Sequence, residues 1–174
     1  MILCKLLGCI FIFLSCSLAG YTLKNKTMLH VTDLENMISC MNVLENEIRV
    51  SLNDIITASS KVLEISNNTN TFLFEKLIDS AKSSDGQPIS ELWKKAVLTI
   101  SEQSFYSEND INILVRFGDV LGSGDAQTQI DNLRIFRTEL SKALEDARKA
   151  ATQKGALYGK IGVYIGVISV ILLI

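Results

Sequence analysis

Between Tyr21 and Lys154 the chain carries four glycines (Gly86, Gly118, Gly122 and Gly124) and a single proline, Pro88. Breakers that rare leave little room for short strands joined by tight turns. Apolar residues in this stretch recur at the helical period. Met28, Val31, Leu34, Ile38, Met41, Leu44 and Ile48 form one stripe, with Asp33, Glu35, Asn42 and Arg49 on the opposite face. A second helix is expected over 52–65, turning Leu52, Ile55, Ile56, Val62 and Leu63 inward. Asn67-Asn68-Thr69-Asn70 breaks the pattern, and Thr71 can cap a third helix carrying Phe72, Phe74, Leu77, Ile78 and Ala81.

Ser83-Ser84-Asp85-Gly86-Gln87-Pro88 is the most turn-like stretch of the chain. A short helix starting at Ser90 then buries Leu92, Trp93, Ala96, Val97 and Ile100. Ser107-Glu108-Asn109-Asp110 resembles a capping box: the Ser107 hydroxyl accepts from a backbone N–H while Asp110 reaches back. The helix it starts carries Ile111, Leu114, Val115 and Phe117, as far as Leu121. Gly122-Ser123-Gly124 ends that helix, and Asp125 opens the last one with its carboxylate near the positive end of the helix dipole. The stripe Ile130, Leu133, Phe136, Leu140, Leu144, Ala147 and Ala151 runs on toward the C-terminal apolar segment. Asp131–Arg134 and Glu145–Lys149 stand at helical ion-pair spacings. The expectation is an all-α protein, an antiparallel six-helix bundle flanked by membrane segments at both ends.

Those ends are apolar. Residues 6–18 are nearly all Leu, Ile, Phe and Cys, and 156–174 are apolar with Lys160 the single charged side chain. At about 1.5 Å per residue the second segment is roughly 28 Å long, near the thickness of a bilayer core. The first segment fits two readings locally. Lys5 with Ser17-Leu18-Ala19 suits a cleaved signal peptide, and residues 2–23 suit an uncleaved anchor. Arg148, Lys149, Lys154 and Lys160 flank the second segment, and Lys24 and Lys26 follow the first. By the positive-inside rule these inner flanks favour two spans with the middle in the cytoplasm, and only Lys5 and the terminal amine count for the opposite side. The division is a membrane anchor or signal-like segment at 1–22, a helical bundle at 23–154 and a transmembrane helix at 155–174.

Catalytic constellations are not legible. His30 is the single histidine, and no Cys or carboxylate set stands at ligand spacing around it. Three of the four cysteines, Cys4, Cys9 and Cys16, lie in the first apolar segment, with only Cys40 outside, so no disulfide framework or thiolate metal spacing can be built. Gly122-x-Gly124 follows a helix, not a strand, and forms no dinucleotide loop. A net charge of −2 with dispersed Lys and Arg argues against nucleic acid. No cofactor, no metal and no enzymatic activity are expected. The interaction candidates are the corner Leu121, Gly122, Asp125 and Gln129, and the C-terminal line Gly155, Gly159, Gly162 and Gly166. Those last glycines, spaced four, three and four apart, share one side of a helix and would let a second membrane helix approach. Tyr158 stands at the expected interface level.

Four strings carry a family resemblance. They are Leu44-Glu45-Asn46-Glu47-Ile48, Glu91-Leu92-Trp93-Lys94-Lys95-Ala96, Leu121-Gly122-Ser123-Gly124-Asp125 with Gln129, and Tyr158-Gly159-Lys160-Ile161-Gly162. Together they resemble the stage III sporulation protein AB family of endospore-forming bacteria. Gly124 stands where that family usually has Ser, and the Pro often found after its Glu-Ile string is missing around Ser51-Leu52. The resemblance implies a fold like the cytoplasmic domain of type II secretion F proteins. It also implies a place in the mother-cell membrane around the forespore, within a channel complex that includes a secretion-type ATPase and ring-forming partners. A second reading is a membrane-tethered helical sensor or adaptor that self-associates through its glycine face.

Overall fold

In the computed structural model the described residues are 2–51, 54–66, 71–83, 86–102 and 104–173; within 2–20 the side chains described are those at 8, 11, 14, 15 and 18, and beyond 153 only that at 164. These residues form six α-helices and no strand: α1 (Ile2–Ser51), α2 (Ile55–Ile65), α3 (Thr71–Ser83), α4 (Ile89–Ser101), α5 (Glu108–Val120) and α6 (Ala126–Leu173). The all-helical expectation and the helix count therefore hold. Among the described residues no helix is long and apolar enough to cross a membrane. The segments read as membrane spans, 1–22 and 155–174, lie for the most part outside the described side chains.

Helix starts follow from local chemistry. Asp54, with extended backbone, accepts a bond from the Thr57 N–H at 2.9 Å, so α2 begins three residues later than the expected position 52. Pro88 precedes α4, its carbonyl accepting from the N–H groups of Glu91 at 3.0 Å and Leu92 at 3.2 Å. The box before α5 is complete: the Asp110 N–H donates to Ser107 Oγ at 3.3 Å, and the Ser107 N–H donates to Asp110 Oδ2 at 2.7 Å. Asp110 is 2 % exposed, so here the shorter acid serves as well as a glutamate. Thr71, read as a cap, is already the first helical residue of α3.

The chain divides into two compact units, one of Met1–Val31 with Asp146–Ile174 and the other of Thr32–Glu145. In the first, Val31, Ala147 and Ala151 are buried, while Phe11, Leu14, Leu18, Tyr21 and Tyr164 are exposed. The second holds most of the buried apolar residues. Across it runs a line of rings, one from each of four successive helices. Phe74 of α3 meets Trp93 of α4 edge-on at 6.0 Å, Trp93 meets Phe117 of α5 edge-on at 5.2 Å, and Phe117 stacks on Phe136 of α6 at 4.4 Å. Each such pair contributes about 0.5–1.5 kcal/mol beyond area burial.

Trp93 is the tightest point. It is fully buried, and its indole N–H donates to the Leu114 carbonyl at 2.7 Å, so its one polar atom is satisfied inside the core. Only glycine at 118 permits this approach, because a Cβ there would stand 2.7 Å from Trp93 Cδ1.

Several assignments of face differ from expectation: on α2, Ala58 and Ser59 are buried where Ile56 and Leu63 are only half-buried. Met37, not Ile38, is fully buried on α1, and Met28 is exposed. Ile113, rather than Ile111 or Val115, joins the expected Leu114 and Phe117 in the core of α5. Asp33, placed on the polar face, is buried with a defined bonding role.

The Trp93–Gly118 contact gives a test. Gly→Ala in a helix ordinarily stabilises by about 1 kcal/mol, whereas overpacking costs about 1–3 kcal/mol. Gly118→Ala is therefore expected to lower the urea midpoint and to shift the emission of Trp93, the single tryptophan. A raised midpoint with an unchanged spectrum would mean that Trp93 can retreat at no cost.

Candidate functional site

The features that join elements far apart in sequence are contacts between helices. The most polar of them links α1 to α6. Glu45 Oε1 accepts from Arg134 Nε at 3.1 Å, and Glu45 Oε2 accepts from Arg137 Nη1 at 2.9 Å. The same Arg137 nitrogen donates to Asn42 Oδ1 at 2.7 Å. Arg134 and Arg137 stand three apart on α6, hence on one face, and each takes one oxygen of the same carboxylate. Asn42 opposite Arg137 and Glu45 opposite Arg134 mean that the two helices run antiparallel here. The Glu45 side chain is 9 % exposed, against 46 % and 38 % for the arginines. The carboxylate is thus removed from water while its two cations keep a path to it.

A second link ties α1 to the connection between α4 and α5. Asp33 Oδ2 accepts from the Phe105 N–H at 2.9 Å, and the Asp33 carbonyl accepts from the Tyr106 hydroxyl at 3.1 Å. A buried carboxylate is tolerated because donors meet it.

The corner between α5 and α6 is packed. Leu121 is a core residue, 5 % exposed. Gly122 follows with φ +76°, in the left-handed region that L side chains rarely adopt, and a Cβ there would collide with Ile89 Cγ2 at the start of α4. Asp125 is exposed, and its Oδ1 accepts from the Thr128 N–H at 2.8 Å, which makes it the side-chain cap of α6. That backbone bond, with the Thr128 hydroxyl, holds its carboxyl below the usual value. Gln129 is half-buried and donates its backbone N–H to the Asp125 carbonyl at 3.1 Å. Of these four candidates, Asp125 and Gln129 are joined by a backbone bond, while Leu121 lies in the core and Gly122 lies against Ile89.

Gly155, Gly159, Gly162, Gly166 and Tyr158 all belong to α6. Their surroundings, and the Tyr158 side chain, lie outside the described residues. Among the described residues no group of three or more His, Cys, Asp or Glu could hold a metal ion.

Sequence reasoning missed Glu45, Arg134 and Arg137 as a unit. Glu45 stands beside Leu44 at the edge of the apolar stripe, and the two arginines repeat at i, i+3. That combination was the available signal, but nothing local says that the two segments meet.

Replacing both arginines by alanine strands a buried carboxylate, at an expected cost of about 3 kcal/mol in urea unfolding. Adding Glu45→Met removes the stranded charge and should recover most of the loss; no recovery would show that the arginine stems, not the charge, hold the helices. The Asp125 cap titrates with a definite sign. Its folded value lies below the 3.8 ordinary for an aspartate, so its contribution is present above that value and lost as pH falls through the folded one. The melting-temperature deficit of Asp125→Ala should accordingly be largest near neutrality and shrink below about pH 3.8.

Comparison with known proteins accords with this architecture. The family described as stage III sporulation protein AB matches residues 5–174. Stage III sporulation protein AB of Bacillus subtilis (strain 168) is 24% identical over 176 residues, covering 97% of this chain and 98% of the relative. A solved structure of a stage III sporulation protein AB superposes with a TM-score of 0.63 at 22% identity, over 71% of this chain and 97% of the other, a likeness of fold. A match from residue 5 to residue 174 makes this chain a member of the stage III sporulation protein AB family.

Proposed function

We propose that this chain is a non-enzymatic platform component of the secretion-like channel complex between mother cell and forespore, required when the engulfed forespore's late genes are activated. The observation that carries the reading is the family match over nearly the whole chain, to a family named for a stage of sporulation. The likeness to the Bacillus subtilis relative, over 97% of this chain, supports it.

In this reading the apolar ends at 1–22 and 155–174 hold the chain in the mother-cell membrane around the forespore. Exposed Phe11, Leu14, Leu18, Tyr21 and Tyr164 suit that placement, because lipid would cover them. The helical bundle, like the cytoplasmic domain of type II secretion F proteins, presents a polar surface in the cytoplasm to a secretion-type ATPase and the other channel proteins. A platform of this kind binds and transmits; it needs no reacting groups. Displacement of the bundle by the ATPase would pass along α6, and the clasp of Glu45 by Arg134 and Arg137 would carry α1 with it.

Affinity capture of the tagged full-length chain from sporulating cells, after chemical cross-linking, tests this reading. The expected result is a co-purified secretion-type ATPase, together with loss of late forespore gene expression when the gene is deleted. Recovery of the chain alone, with normal forespore expression in the deletion, would overturn it.

A further inference from the structure

The strongest unassigned feature is the outer surface where α5 meets α6. A cleft of about 150 Å³ there is lined by Phe117, Phe136, Val120, Ile135, Arg116 and Glu139 among others, and of these Phe117 and Phe136 are the most buried apolar residues. Cavities near this size accept a six-carbon ring, so the cleft has room for one branched aliphatic side chain. Ile135 is such a side chain. It is 62 % exposed at the edge of the cleft, unlike its buried neighbour Phe136. Recess and protrusion therefore lie side by side on one patch.

The rim repeats this complementarity in charge. Arg116 Nη2 and Glu139 Oε2 are 2.6 Å apart, with 63 % and 41 % of their side chains exposed, so both can swing outward. A patch holding a knob beside a hole, and a cation beside an anion, is complementary to itself. A two-fold rotation places each feature against its opposite, which is the requirement of an isologous interface.

We infer that this cleft is a self-association surface, in which Ile135 of each of two copies enters the Phe117–Phe136 cleft of the other while Arg116 and Glu139 exchange partners across the axis. The occupant is a second copy of this chain. Exposed ion pairs contribute little by themselves, so exchanging them is close to neutral and sets orientation. Affinity then depends on the buried isoleucine. The inference stands apart from the channel reading and from the glycine line on α6, because it uses different residues.

The test uses the full-length chain in mild detergent. A photo-cross-linking residue placed at 135 should give a product of twice the chain mass, at least fivefold above the yield from the same residue at 98, where Leu98 is comparably exposed on α4. Ile135→Arg should weaken the dimer at least tenfold in sedimentation while circular dichroism and melting stay unchanged. Equal cross-linking at 135 and 98, a monomeric wild-type chain, or a wild-type dimer in Ile135→Arg would each overturn the proposal. So would a dimer abolished by Gly159→Leu but unaffected by Ile135→Arg, which would assign association to the α6 glycines. A cross-link from 135 to a different protein would give the cleft another occupant and overturn it as well.

Discussion

The bundle depends on one indole. Trp93 lies between Phe74 and Phe117, and Phe117 passes the contact to Phe136, so four consecutive helices share one aromatic line. A large ring brings much apolar area into the core but also an N–H that must find an acceptor. The Leu114 carbonyl supplies it, within reach only because residue 118 has no side chain. The position of α5 against α4 is thus fixed twice, by a directional bond and by a steric limit. The Lys94–Asp119 pair beyond them lies on the surface and adds little.

Helices α1 and α6 are held differently. Their apolar stripes meet the core, but the Glu45 carboxylate, shared between Arg134 and Arg137, selects one alignment among the slides that apolar packing tolerates. Shifting α6 by one turn would leave the carboxylate with a single cation or none. A buried charge is weak as a source of stability and strong as a penalty against the wrong register.

Much of this was legible in the sequence where the signal is local. The stripe from Ile130 to Ala151 reads directly as a buried face, and Ser107 with Asp110 reads as a cap, because both depend on residues within one or two turns. What failed was the choice among apolar neighbours. Met37 displaced Ile38, and Ile113 displaced Ile111, since a helix with apolar residues on adjacent faces can rotate until the tightest set of partners is met. Asp33 and Glu45 failed for a related reason. A carboxylate reads as solvent-facing unless its donors are known, and theirs come from Phe105 and from α6. Of the corner, the glycine turn and the Asp125 cap were readable, while the seating of Gly122 on Ile89 was not.

The clasp also has a consequence in time. Glu45 waits for partners made 89 and 92 residues later, so α1 must leave the ribosome long before the arginines that hold it exist. The short helices between can pair with their sequence neighbours as they emerge, since α2 packs on α3, α3 on α4 and α4 on α5. Domains fold during synthesis at about 5–20 residues per second, which leaves the first helix unclasped for several seconds. A nascent chain in that interval offers its Val31, Leu34, Met37 and Met41 face to whatever is nearest, so a holding chaperone or a membrane surface would find its substrate there.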